Sequence, residues 1–101
     1  MSVLNVNKTN FDQIKNSSKP VLLDFFASWC GPCHMVSPIV DQIAEENPNY
    51  LVGKINVDNE PELAHAFGAS SIPMLVVMKN GKVVDTKVGA MPKTNLEAML
   101  K

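Results

Sequence analysis

Apolar residues along this chain follow two different spacings, and the alternation between them predicts the elements. Short, nearly continuous apolar runs bounded by turn residues predict strands, whereas apolar residues three and four positions apart predict helices that are buried on one face. The strands are expected at 3–6, 21–27, 51–57, 74–79 and 82–88. The helices are expected after Thr9 or Asn10, from the cysteine pair to Asn47-Pro48, between Asn59 and Gly68, and over 92–100.

The order of these elements predicts the fold class. Strands and helices alternate as far as the fourth strand, and the last two strands flank Asn80-Gly81, a strong two-residue hairpin signal. The order βαβαβαββα therefore indicates an α/β chain. Helical crossovers give parallel strand pairs and the hairpin gives an antiparallel pair, so a central mixed β-sheet flanked by helices on both faces is expected. The run 21–27 is apolar on both faces apart from Asp24, which is typical of a central strand.

Length and charge limit the classes of partner. The 101 residues predict a single domain, 1–101, and the net charge is −1 with lysine as the only basic residue besides histidine. Nothing in this composition resembles the basic footprint of a protein that binds nucleic acid or an anionic membrane, so we expect protein partners and a monomer. Residues 1–8 lack a leader pattern, and no apolar run approaches the ~20 residues of a membrane span. A cytoplasmic location is expected.

Both cysteines lie in the segment Trp29-Cys30-Gly31-Pro32-Cys33, between a predicted strand and a predicted helix. The start of a helix favours a thiolate, because unpaired N–H groups and the helix dipole face the sulfur. Cys30 is the candidate nucleophile. Cys33, one turn further on, is the candidate resolving thiol that attacks a mixed disulfide at Cys30. Pro32 fits a first helical turn, and Gly31 lets a partner backbone come close.

A second interpretation of the cysteine pair is a binding module. CxxC could supply two ligands of a zinc site that His34 or a second subunit completes. A single cysteine pair in a reducing compartment is poor material for a structural bridge, and CxxC near a βαβ pattern indicates redox chemistry or metal binding. The position at a helix start favours redox chemistry.

The chain resembles the thioredoxin family. The resemblance rests on the WCGPC motif and covers nearly the whole chain, with further matches at 21–27, 34–39, 54–58, 71–73 and 79–82. It implies the thioredoxin fold and a thiol–disulfide oxidoreductase that reduces protein disulfides as an electron carrier, with no cofactor beyond the cysteine disulfide. The chain has no Gly-rich nucleotide motif, so a separate donor is needed; the resemblance implies a flavin-containing thioredoxin reductase. A disulfide isomerase or oxidase remains an alternative, which the reduction potential decides.

Two charged residues of the predicted central strands are candidates for support of the chemistry. Burial in an apolar strand should raise the pKa of Asp24. The resemblance implies that Asp24 accepts the proton of Cys33, and the alternative is a carboxylate that only forms hydrogen bonds at a strand end. Lys54 could bring its ammonium near Asp24 and favour the charged carboxylate, or it could be a solvated edge lysine. The resemblance favours the supporting role.

Residues distant in sequence complete the candidate substrate surface. The resemblance implies a cis Ile72–Pro73 bond, beside which the backbone pairs with an extended substrate segment. Loops at one end of a sheet cluster in space, which predicts a flat apolar patch around the sulfur. Its expected members are Trp29, Ile72, Pro73, Gly89 and Ala90. The chain departs from the commonest family pattern at Phe26, His34 and Met74, and none of these changes removes a reacting group.

Overall fold

The strands and helices follow one another in the predicted order in a computed structural model that describes residues 3–101. The predicted domain range, 1–101, therefore extends two residues beyond the described part. The elements are β1 (Val3–Asn5), α1 (Phe11–Lys15), β2 (Val21–Phe26), α2 (Gly31–Glu46), β3 (Leu51–Asn56), α3 (Pro61–Ala66), β4 (Met74–Lys79), β5 (Lys82–Val88) and α4 (Lys93–Met99).

The five strands form one mixed sheet in the order β1-β3-β2-β4-β5. β3 pairs in parallel with both β1 and β2, and β4 is antiparallel to both β2 and β5. The predicted mixed sheet is confirmed, and β2 lies at its centre. In the register of the sheet, Asp24 on β2 lies opposite Lys54 on β3 and Leu75 on β4.

Alternate residues of the strands feed two separate cores, one on each face of the sheet. Because successive strand side chains point to opposite faces, Leu22 packs with α2 and α4 while Leu23 packs with α1 and α3. Helices therefore cover both faces, as predicted. Asp24 falls two residues after Leu22 and so lies on the face that α2 covers.

Two local details show how the turns and caps are made. Asn80 and Gly81 have φ angles of 54° and 77°, which are the left-handed values that a two-residue hairpin turn requires. Asn10 stands at the start of α1, but its side chain accepts a hydrogen bond from the backbone N–H of Asn7 rather than from the helix. The predicted start of this helix, after Asn10, is confirmed, and the Asn10 side chain bonds within the preceding loop instead of capping the helix.

The sheet topology brings three distant loops to one edge. β2 runs directly into the loop that precedes α2, so the cysteines follow the carboxyl end of the central strand. β4 is antiparallel to β2, and its first residue, Met74, pairs with both Phe25 and Val88. The segment before Met74 and the segment after Val88 therefore lie beside the loop that carries the cysteines.

Candidate active site

The cysteine pair forms the start of α2. Cys30 and Cys33 are joined by a disulfide, with their Cα atoms 5.3 Å apart. Cys30 is the N-cap residue, and its Sγ accepts a hydrogen bond from the backbone N–H of Cys33 at 3.2 Å. Both cysteines are buried, whereas Gly31 and Pro32 between them are exposed. The sulfur of Cys30 therefore lies where the unpaired N–H groups of a 16-residue helix converge.

The loop before β4 closes over the cysteine pair. The Ile72–Pro73 peptide bond is cis, in agreement with the prediction. Ile72 packs against the cluster formed by Ala27 and the two cysteines, and its carbonyl oxygen lies 3.9 Å from Sγ of Cys30. Pro73 itself is buried, and its carbonyl accepts a hydrogen bond from the N–H of Gly89 at 2.8 Å. Backbone contacts thus connect Cys30, the cis proline and Gly89.

Trp29 and Ala90 are the remaining expected members of the substrate surface, and both are exposed. Trp29 is 71% exposed, and its indole Nε1–H donates a hydrogen bond to the carboxylate of Asp58 at 2.8 Å. Ala90 is exposed and lines a shallow apolar hollow together with Met35 and Met91. The sequence did not single out Asp58, because its link to Trp29 joins two loops that are 29 positions apart.

Asp24 carries a buried carboxylate on β2. It is 1% exposed, and neither carboxylate oxygen has a hydrogen-bond partner among the described residues. Burial raises its pKa from 3.8 to about 6; the positive charge of Lys54 opposes this rise and the negative charge of Asp41 adds to it. The predicted direction of the pKa shift agrees with this. A carboxylate of this kind can bind or release a proton near neutral pH.

Lys54 faces Asp24 in the sheet register, but its ammonium is bound elsewhere. Its Nζ lies 2.7 Å from Oδ1 of Asp41 and donates hydrogen bonds to the hydroxyl and carbonyl oxygens of Ser37, at 2.6 and 3.3 Å. The expectation that Lys54 lies near Asp24 holds for the strand position, but its salt bridge is with Asp41. Sequence reasoning missed Ser37 and Asp41, although both lie at four-residue intervals from Cys33 and so share its helix face.

The zinc hypothesis requires further metal ligands near the cysteine pair. Within residues 3–101, no group of three histidine, cysteine, aspartate or glutamate side chains could hold a metal ion. His34, the predicted third ligand, is exposed, and its Nε2 is 2.7 Å from the carbonyl oxygen of Ser28.

None of the helices described here has the length and apolar character needed to cross a membrane.

Comparison with known proteins agrees with the fold and with the cysteine pair. The Thioredoxin family model matches residues 2–101. Curated thioredoxins from Porphyra purpurea and Haemophilus influenzae are 51% and 47% identical; the matches cover 99% and 93% of this chain and 95% and 90% of the relatives. The solved structure of a mutant thioredoxin from Halobacterium salinarum superposes with a TM-score of 0.90 at 36% identity, covering 97% of this chain and 87% of that one.

The resemblance identified from the sequence is therefore confirmed, and so is the thioredoxin fold. Thioredoxins exchange electrons with disulfides in other proteins, and this chain carries the necessary cysteine pair at the start of a helix. The chain belongs to the thioredoxin family, and it is a thiol–disulfide oxidoreductase that acts on disulfide-containing protein substrates.

Proposed function

We propose that Cys30 is the nucleophile and Cys33 the resolving cysteine of a protein-disulfide reductase. The observation that carries this assignment is the position of Cys30 at the N-cap of α2, where its sulfur accepts a hydrogen bond from the backbone N–H of Cys33. The helix dipole and this hydrogen bond both favour the negative sulfur. Of the two cysteines, Cys30 is therefore the one whose thiolate is better stabilised.

The reaction proceeds in two exchange steps that balance. The Cys30 thiolate attacks a substrate disulfide, the substrate S–S bond breaks, and one substrate thiolate leaves to take up a proton. Cys33 loses its proton and attacks the sulfur of Cys30, the mixed disulfide breaks, and the second substrate thiolate leaves. Two electrons pass to the substrate, and the Cys30–Cys33 disulfide remains.

Asp24 accepts the proton that Cys33 loses in the second step. The position of Asp24 supports this role, because Asp24 lies on the face of β2 that α2 covers. Phe26, two residues further along the same strand, packs against the cysteine pair. With a pKa of about 6, Asp24 is mostly ionised at pH 7 and can still be protonated during turnover. Lys54 has a supporting role, because its charge favours the ionised carboxylate.

The substrate binds as an extended segment over the edge that Ile72 occupies. The backbone of Ile72 lies beside Sγ of Cys30, so a strand that pairs there brings its own disulfide to the nucleophile. Main-chain pairing does not demand one sequence, which supports a broad range of substrates. The contact surface consists of Trp29, Gly31, Pro32, Ile72, Pro73, Gly89 and Ala90.

Each turnover leaves the cysteines oxidised, so an outside donor must return two electrons. Family membership supports thioredoxin reductase as this donor, with no cofactor in this chain beyond the redox-active disulfide. A protein that reduces disulfides through Cys30 and Cys33 needs a compartment in which these two cysteines are kept reduced. This supports action in the cytoplasm. The whole chain, 1–101, acts as one domain and as a monomer.

Two serine variants test the assignment of the cysteines. Each variant is reduced and mixed with a protein that carries one accessible disulfide, and covalent adducts are measured by mass spectrometry. Cys33→Ser should accumulate a mixed disulfide at Cys30 and should lose catalytic turnover, because the resolving step is blocked. Cys30→Ser should form no adduct at the same pH. An adduct at Cys33 in Cys30→Ser, formed as fast as the one at Cys30, would contradict the assignment.

A further inference from the structure

The helix that carries Cys33 also binds the ammonium of Lys54, the residue opposite Asp24 in the sheet register. Lys54 reaches from β3 to α2, where it binds Asp41 at 2.7 Å and the hydroxyl of Ser37 at 2.6 Å. The Lys54 side chain is only 13% exposed, whereas that of Asp41 is 56% exposed, so the contact is partly buried. Cys33, Ser37 and Asp41 lie at intervals of four residues and therefore follow one another along one face of α2.

The charged groups around Asp24 are few. β3 contributes Lys54, α2 contributes Asp41, and β4 places the apolar Leu75 opposite Asp24. Asp24 has no hydrogen bond of its own within the described residues. The charge balance at Asp24 is therefore set by where the ammonium of Lys54 lies.

The other neighbours of Lys54 leave Asp41 as its carboxylate partner. Asn5 lies opposite Lys54 on β1 and is uncharged. Glu60 lines the same cavity as Lys54, but its carboxylate accepts a hydrogen bond from the backbone N–H of Lys8 at 3.1 Å. Among residues 3–101, the salt bridge of Lys54 is with Asp41.

We infer that Asp41, assisted by Ser37, is a positioning residue for the proton transfer: it holds the ammonium of Lys54 on α2 and prevents a direct ion pair with Asp24. The inference rests on the proposed role of Asp24 as proton acceptor. A carboxylate in direct contact with an ammonium holds its charge firmly and is a poor base. Asp41 thus keeps Asp24 basic enough to take the proton of Cys33, while Lys54 stays close enough to keep it ionised.

The pKa of Asp24 in the oxidised protein is the direct readout, followed by NMR of its carboxyl carbon. Asp41→Asn should lower this pKa by about one pH unit, because the freed ammonium can turn to Asp24 and a negative charge is lost. Lys54→Met should raise it. Glu45→Gln removes a carboxylate one turn further along the exposed side of α2 and is the matched control, which should leave the pKa unchanged. Equal pKa values in Asp41→Asn and Glu45→Gln would overturn the inference.

A double-mutant cycle separates positioning from the simple field of Asp41. If Asp41 acts through Lys54, then Asp41→Asn should shift the pKa of Asp24 less than half as far in a Lys54→Met background as in the wild type. Ser37→Ala should lower the pKa in the same direction as Asp41→Asn but by less, because Asp41 still binds the ammonium. Equal shifts in both backgrounds would show that Asp41 acts by its charge alone, and would overturn the inference.

Kinetics distinguish this inference from the proposed function on which it rests. The release of reduced substrate from the mixed disulfide is followed against pH. Asp41→Asn should move the midpoint of its pH profile downwards by the same amount as the pKa of Asp24. If Asp24→Asn leaves the wild-type profile intact, the acceptor role of Asp24 fails. If Asp24→Asn abolishes the inflection but Asp41→Asn does not move it, the positioning role of Asp41 fails.

Discussion

The two faces of the central sheet differ where β2 and β3 run side by side. Under α1 and α3 the face is wholly apolar, with Leu23, Phe25 and Ile55 fully buried. Under α2 the same two strands contribute the carboxylate of Asp24 and the ammonium of Lys54. Strand residues alternate between the faces, so one pair of strands supports a core on one side and ionisable groups on the other.

The difference shows how the chain separates stability from chemistry. Burial of apolar side chains is favourable at any pH, whereas burial of a carboxylate opposes folding once the group is ionised. The face under α1 and α3 should therefore stabilise the fold without influence on proton transfer. On the face under α2, the buried Asp24 should lower the stability of the fold at pH values above its pKa. The same carboxylate provides a group that can exchange protons.

Truncation of Phe25 is expected to have the largest effect on stability. The ring is fully buried and packs against Phe67, with the ring centroids 5.2 Å apart. Phe25→Ala should lower the free energy of unfolding by about 3 to 5 kcal/mol, through lost burial and a cavity. Urea denaturation measures this loss, and Phe25→Leu is the milder control. Because Phe25 lies on the apolar face, Phe25→Ala should leave the pH profile of substrate release unchanged. A shift in the midpoint of that profile would contradict the separation between the two faces.

Replacement of Asp24 is expected to have the opposite sign. The folded-state pKa of about 6 lies above the 3.8 of an ordinary aspartate, so the folded protein binds this proton more tightly than the unfolded chain. The stability that this proton provides is complete below pH 3.8 and is lost as the pH rises through about 6. The loss amounts to ~3 kcal/mol.

Asp24→Asn should therefore match the wild type in stability near pH 3.5 and exceed it by ~3 kcal/mol at pH 7.5. Urea denaturation at both pH values measures the difference. Asp12→Asn makes the same substitution at an exposed position on α1 and should show no such gain. A difference between Asp24→Asn and wild type that does not change with pH would mean that Asp24 is not the group that titrates.

The smallest effect is expected where the apolar face leaves no room. A Cβ on Gly53 would lie 2.5 Å from Cγ2 of Val6 and 3.3 Å from Cδ2 of Leu23. Gly53→Ala should lower the free energy of unfolding by roughly 1 to 3 kcal/mol through overpacking. In the Gly53→Ala background, Val6→Ala should cost less than it does alone, because it removes the clashing methyl group. Fully additive losses would contradict this steric reason.

Local patterns in the sequence were enough to predict the order of the elements and the cysteine site. The hairpin depends on Asn80-Gly81 alone, and the helix start depends on residues next to the cysteines, so both signals are short-range. The predicted strands 3–6, 21–27 and 51–57 each extend one residue beyond β1, β2 and β3, although the N–H groups of Val6 and Val57 still bond to neighbouring strands.

The contacts that the sequence did not reveal are those that only the folded chain makes. Lys54 and Asp41 belong to different elements, and nothing local to either residue indicates which carboxylate the ammonium binds. The bond between Trp29 and Asp58 likewise joins two loops. Asp24 was predictable as an unusual residue because its strand is otherwise apolar, but its lack of a partner among the described residues follows from the packing around it.

The account depends most directly on the proton that Cys33 gives up. Its test is the rate at which reduced substrate leaves the mixed disulfide at Cys30, measured between pH 5 and pH 8 by rapid mixing for wild type and Asp24→Asn. The wild-type rate should rise through an inflection set by Asp24. Asp24→Asn should lack that inflection and should be about 100-fold slower at pH 7, the usual effect of losing a general base. An unchanged rate with the inflection intact would contradict the account.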